Sequence, residues 1–186
     1  ALSLENIFSE HANISIIEPG KKAGQDKPIM AGLKYASGQH IVVMDDDLQH
    51  DPKYIPALLS ELNDEVDVCY ANFLIKKQNF YKNLGSKFAD FCANILMNKP
   101  KNIYLSPFKI FNAHVASEII KYDGPYPYID GLIFRVTRKI TQIDVNHSQR
   151  LHGQGNYTLV KSIKVWANLV TNFSILPLRL STFFGF

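Results

Sequence analysis

His40-Ile41-Val42-Val43-Met44-Asp45-Asp46-Asp47-Leu48-Gln49-His50-Asp51-Pro52 is the stretch on which the fold is decided. Its apolar start, His40–Met44, has the composition of a strand covered on both faces. Three carboxylates follow without a gap, and like charges so close are costly unless a cation offsets them. In an extended chain the two-residue period puts Asp45, Asp47 and Gln49 on one side, with Asp46 and Leu48 on the other. Two carboxylates and an amide oxygen are hard ligands, suited to a Mg²⁺ or Mn²⁺ ion that keeps some waters and meets a substrate phosphate. The plainer alternative is an acidic turn before a helix, with Asp51 as N-cap and Pro52 at the first helical position.

Outward from this stretch, helix and strand signals alternate. A helix is predicted over Asp26–Ala36, with Ile29, Met30, Leu33 and Tyr35 to bury, Pro28 in its first turn and Gly38 closing it. Asn13–Glu18 reads as a short strand ended by Pro19-Gly20, and Val66–Tyr70 as another. Between them, Ile55, Leu58, Leu59 and Leu62 have helical spacing. Phe80–Met97 reads as a long helix with an aromatic face. Leu105–Asn112, Leu132–Thr137 and Ile143–His147 are strand-like. This alternation predicts an α/β fold with a mainly parallel sheet. In such sheets the ligand crevice lies beyond the carboxyl ends of the strands, where the acidic cluster falls.

The 186 residues suit one domain, or one domain with a small appendage. With 46% apolar and 20% charged residues, a disordered tail, a collagen-like fibre and a simple coiled coil are excluded. Cys69 and Cys92 are too few for a disulfide scaffold or a cysteine-based zinc site, and read as reduced, buried thiols. The net charge of +3 hides an asymmetry: residues 135–186 hold seven Lys or Arg against one acid, Asp144. Such a tail implies an anionic partner. Its basic residues are mixed with a long apolar run rather than lining a polar groove, which argues against nucleic acid. The fourteen uncharged residues Val165–Leu178 are too few for the roughly 20 that span a bilayer. With Trp166, Phe173, Phe183, Phe184 and Phe186 among basic residues, the segment suits the membrane interface, or else a core-packing amphipathic helix. The six histidines show no ligand spacing, and His50 reads as a polar residue flanking the acidic cluster. The chain starts without Met or a signal pattern, and both ends look cut.

Asp45-Asp46-Asp47-Leu48-Gln49-His50-Asp51-Pro52, preceded by Gln25, Ile29–Leu33 and Ala36-Ser37-Gly38, resembles family-2 glycosyltransferases of GT-A fold. It is most similar to their polyprenyl-phosphate branch, which includes dolichol-phosphate mannosyltransferase and bacterial undecaprenyl-phosphate enzymes. Tyr128-Ile129-Asp130-Gly131-Leu132-Ile133 resembles the acceptor-side segment of that branch, and Arg150-x-x-Gly153-Gln154-Gly155-Asn156-Tyr157 its Arg-x-x-Gly-x-Ser-x-Tyr motif. Gly155 stands where the family has serine, and Lys21-Lys22 where it usually has Arg-Asn. The family's first strand and its Asp-Asp-Gly-Ser segment do not occur, so the first βα unit or units are expected to be missing.

The resemblance implies a three-layer, Rossmann-like fold for nucleotide-diphospho-sugar transfer. A catalytic domain is expected over residues 1–147, and an acceptor-side loop with an interfacial helical segment over 148–186. The implied reaction moves a sugar, with inversion, from a nucleotide-diphosphate sugar to a polyprenyl phosphate at the cytoplasmic membrane face. The alternatives are a soluble family-2 enzyme extending a glycan on a sugar hydroxyl, and a non-catalytic fragment of such an enzyme. Asp45, Asp47 and Gln49 are the implied holders of Mg²⁺ or Mn²⁺, with Asp45, Asp46 and Lys27 on the donor side. Asp130 and Arg150 are the implied catalytic pair. The Arg150 guanidinium suits a bidentate phosphate contact, and Lys161 and Lys164 are secondary candidates.

Overall fold

The computed structural model describes residues 14–17, 24–46, 48–73 and 103–146. Four strands form one sheet: β1 (His40–Val43), β2 (Val68–Phe73), β3 (Lys109–Asn112) and β4 (Ile140–Val145). Their lateral order is β1-β3-β2-β4. β3 runs antiparallel to both its neighbours, whereas β2 and β4 are parallel. Three strands therefore share one direction, and the expected mainly parallel sheet is a mixed one with a single reversed strand inserted. The reversal has a functional consequence, because it brings the start of β3 to the end where β1 stops. Val43 is paired with Lys109, and Lys109 with Tyr70.

Side-chain alternation along the strands divides the apolar residues between two faces. Val68, Tyr70 and Phe111 join Met30, Leu33, Val115, Ile119, Ile129, Leu132 and Ile133 in one cluster. Cys69, Ala71, Phe73, Ile110 and Val145 join Leu58 and Phe108 in the other. The first face is covered by α1 (Asp26–Tyr35), α3 (Ala113–Ile119) and α4 (Ile129–Val136). The second is covered by α2 (Ile55–Ser60). This is the expected three-layer α/β arrangement.

Several local expectations are corrected. Leu132–Thr137, read as a strand, lies in α4 up to Val136, with Thr137 as its C-cap; the helix's buried Ile129, Leu132 and Ile133 recur at helical spacing, and that period outweighs the β-branched composition. Residues 14–17, inside the expected strand Asn13–Glu18, carry no regular structure, and Ile14 and Ile16 are exposed. Only Lys109–Asn112 of the stretch 105–112 is strand. β1 lies at the edge of the described sheet with its residues exposed or half-buried, not covered on both faces. Tyr35, expected inside, is exposed because α1 ends there and its apolar stripe faces the sheet through Met30 and Leu33. Asp51 is an N-cap as predicted: its carboxylate accepts from the Lys53 amide and opens a 3-10 turn, Pro52–Tyr54, that leads into α2. The expected helix over Phe80–Met97, Cys92 and everything from His147 onward lie outside the described residues.

Candidate active site

Asp45 lies two residues beyond β1, at the carboxyl end of the strand. Two contacts hold it. The Gln25 side-chain amide donates to its Oδ1 at 2.8 Å, and its own backbone N–H donates to Nδ1 of His50 at 2.8 Å. The chain does not stay extended as far as Gln49, because Leu48 takes a left-handed conformation with φ of 62°. Asp45 and Gln49 are half-buried, while Asp46 and Leu48 are exposed. Asp47 lies outside the described residues. Neither Asp45 nor Asp46 forms an ion pair among the described residues, where the salt links join Lys53 to Asp51, Lys109 to Asp130 and Lys121 to Glu118. No three acidic, His or Cys side chains gather there into a metal-holding group. What is present, a carboxylate with one oxygen engaged by Gln25 and no ion pair among the described residues, fits a hard divalent cation that keeps most of its waters.

A second constellation stands at the same end of the sheet. Lys109 is only 4% exposed, a position a lysine tolerates when its charge is paired. Its ammonium makes a close ion pair with Oδ1 of Asp130, at the start of α4, and sits 5.1 Å from the centre of the Tyr70 ring. The Tyr70 hydroxyl donates to the same Oδ1 at 2.8 Å. Two directly paired strand residues thus converge on one helical carboxylate. Burial and the neighbouring Asp130 charge hold the Tyr70 phenol well above its ordinary value, so it remains a donor.

The two constellations are joined through consecutive residues. Gln25 reaches Asp45, and Asp26, the first residue of α1, accepts from the backbone N–H of Ile129 at 3.2 Å. Burial raises the Asp26 pKa in spite of that hydrogen bond, and the Asp130 charge adds to the rise while Lys109 opposes it. Two carboxylates and one ammonium therefore share a partly dry corner. Lys27, expected on the donor side, is exposed on the first turn of α1 with its ammonium 5.9 Å from the centre of the Tyr126 ring. Arg150, Lys161 and Lys164 lie outside the described residues.

Sequence reading missed Tyr70, Lys109 and Asp26. Tyr70 and Asp26 were counted only as parts of a strand and a helix. A lysine in an otherwise apolar strand, Phe108-Lys109-Ile110-Phe111, was the available signal for a buried ion pair. His50 is also corrected. It is not a polar bystander but is buried, with its ring stacked against those of Phe73 and Phe108. Cys69 is fully buried as expected, and burial pushes its thiol up to about 12.

This α/β architecture, with a held carboxylate at a strand end and a paired carboxylate opposite, has the GT-A fold. The model of glycosyl transferase family 2 matches residues 3–120. The chain belongs to that family. It is 27% identical over 162 residues to the undecaprenyl-phosphate 4-deoxy-4-formamido-L-arabinose transferase of Yersinia enterocolitica, covering 87% of this chain and 50% of the relative. The enzyme of the same name from Klebsiella pneumoniae is 24% identical over 177 residues, covering 95% and 54%. An uncharacterized glycosyltransferase of Bacillus subtilis, YkcC, is 28% identical over 184 residues, covering 96% and 57%. The chain thus spans about half the length of the curated relatives it matches. Among solved structures, glucosyl-3-phosphoglycerate synthase of Mycobacterium tuberculosis shares the fold at 15% identity, with a TM-score of 0.55 over 89% of this chain and 59% of that one. The same enzyme in complex with Mn²⁺, UDP-glucose and phosphoglyceric acid aligns with a TM-score of 0.52 at 15% identity, over 84% and 56%. Among the described residues no helix is long and apolar enough to cross a membrane.

Proposed function

We propose that the chain is the catalytic part of an inverting, divalent-metal-dependent glycosyltransferase that moves a sugar from a nucleotide-diphosphate sugar to a polyprenyl phosphate at the cytoplasmic face of a membrane. The observation that carries this reading is Asp45, anchored at the mouth of the sheet by Gln25 and His50 and engaged in no ion pair among the described residues. The names of two relatives support the lipid-phosphate acceptor, and the Mn²⁺ and UDP-glucose complex of a fold neighbour supports the donor class and the ion.

Asp45 and Gln49, with Asp47, would hold Mg²⁺ or Mn²⁺, which when bound supplies positive charge against the charge that grows on the departing nucleoside diphosphate. Asp46 and Lys27 are the further donor-side residues of this reading. On the acceptor side, a phosphate with a second pKa near ~6 is already largely ionised at neutral pH, so no strong base is required. Holding two polyanions together is the harder task, and it needs cations. Arg150 is assigned to the acceptor phosphate, and Asp130 orients that side of the site. An orienting part suits Asp130, whose Oδ1 is already committed to Tyr70 and Lys109. Residues 148–186, with their basic and aromatic composition, would bring the site to the headgroup level.

The test is transfer of labelled sugar to polyprenyl phosphate in vesicles by the complete polypeptide. Asp45→Ala and Asp47→Ala should each abolish transfer while the far-ultraviolet circular dichroism stays unchanged. Retained turnover in either variant refutes the metal assignment. Asp130→Asn separates the acceptors: a modest loss fits a phosphate, whereas a loss of about 10²–10⁴-fold would mark a general base acting on a sugar hydroxyl.

A further inference from the structure

His50 shows an arrangement that the proposed reaction does not yet use. The residue is 5% exposed, and its ring lies nearly parallel to two phenyl rings, with centroids 5.3 Å and planes 15° from Phe73 and 5.2 Å and 16° from Phe108. Two near-parallel ring contacts restrain the plane of the imidazole. Nδ1 receives the Asp45 backbone N–H at 2.8 Å, and a nitrogen that accepts an N–H carries its lone pair there, so the ring proton belongs to Nε2. The contact closes the turn from Asp45 to His50, across Leu48 in its left-handed conformation. Phe73 and Phe108 belong to the core cluster on the α2 face, so this acidic turn is anchored to the rigid interior on the side opposite Gln25.

We propose that His50 is a positioning residue for Asp45. As a hydrogen-bond acceptor of fixed orientation, it locks the Asp45 backbone so that the carboxylate, steadied at Oδ1 by Gln25, is presented ready-made to the divalent cation of the nucleotide sugar. This inference rests on the metal reading given above. Ligand carboxylates held by such outer contacts bind metal more tightly than loosely held ones, because less order must be imposed on binding.

Two substitutions separate the ring from the acceptor. His50→Phe keeps a flat ring stacked on Phe73 and Phe108 but has no acceptor. His50→Asn places an amide oxygen where Nδ1 stood but gives up the stacking. In the complete polypeptide, binding of Mn²⁺ alone is followed by electron paramagnetic resonance, Tm by calorimetry, and exchange of the Asp45 amide proton by NMR. The expected result is a crossed pattern. His50→Phe loses about ten- to a hundredfold in Mn²⁺ affinity, with a near-native Tm and an unprotected Asp45 amide. His50→Asn lowers Tm but keeps Mn²⁺ affinity within about threefold and protects the amide. Unchanged affinity in His50→Phe, or losses in both variants that simply follow Tm, would overturn the proposal. Absence of Mn²⁺ binding by the unsubstituted protein would overturn the metal reading instead. In that case the amide decides: equal exchange in the unsubstituted protein and His50→Phe sinks the positioning role, and exposure in His50→Phe alone upholds it.

Discussion

Replacing Lys109 by methionine tests the buried corner most directly, because it keeps the unbranched stem and removes only the charge. The Lys109 and Asp130 side chains are 5% and 13% exposed, so water screens their attraction weakly. Removing one partner of such a pair costs about 3–5 kcal/mol, since the other charge is left buried and uncompensated. The two single substitutions should not be equal. Lys109→Met leaves Asp130 and Asp26 facing each other with no cation between them, so its cost belongs at the upper end. Asp130→Leu leaves Lys109 within the field of Asp26, which softens the loss. In the double variant both charges are gone and the volumes are nearly kept, so the cost should be well below the sum of the singles. Urea unfolding of the three variants and the parent, followed by circular dichroism, measures this. With a slope of about 1–3 kcal/mol per molar urea, the Lys109→Met midpoint should fall by at least ~1 M. Additive single effects, or a Lys109→Met midpoint within error of the parent, would refute the buried pair.

Three further outcomes follow from the same geometry. Asp26→Asn keeps an oxygen for the Ile129 amide but removes the charge that burial disfavours. Because the folded-state pKa of Asp26 is raised, the folded protein binds the proton more tightly, and Asp26 costs stability increasingly as pH rises through that folded value. The variant should therefore unfold at higher urea than the parent at pH 7, with the advantage shrinking toward pH 4; a constant difference across that range would contradict the assignment. Cys69, buried and with its thiol held near 12, should resist iodoacetamide in the native protein and react on unfolding, as peptide mass spectrometry would show. Rapid native labelling would mean that β2 opens far more readily than its burial implies. Tyr70→Phe removes one donor to Asp130 and should cost about 1 kcal/mol, much less than Lys109→Met, because the ring still fills its place and the ion pair remains.

Much of the candidate site is legible in one dimension because its acidic half is local. Asp45 to Asp51 follow a strand without interruption, so a two-residue period and a helix cap suffice to predict which groups stand at the strand end and where the next helix starts. The Asp51 cap agrees with that reading. The extended path does not, because a left-handed leucine has no reliable sequence signal. α4 was misread for a related reason: Leu132–Thr137 is rich in residues that suit strands, and only its packing against β2 and α1 selects the helical period.

What the sequence by itself determined is the α/β class, the acidic strand end and the family, since these depend on residue types at short, fixed spacings. Only the tertiary structure decided that β3 is reversed, bringing Lys109 beside Tyr70 and against Asp130, and that the His50 ring stacks on two phenyl rings. Those partners are separated by 21 to 60 residues in the chain, and nothing local links them. Lys109 and Asp130 meet because a buried ammonium must find a polar partner once the apolar faces of the sheet have closed around it, whereas His50, whose polar partner is the local Asp45 amide, reaches Phe73 and Phe108 by ring packing.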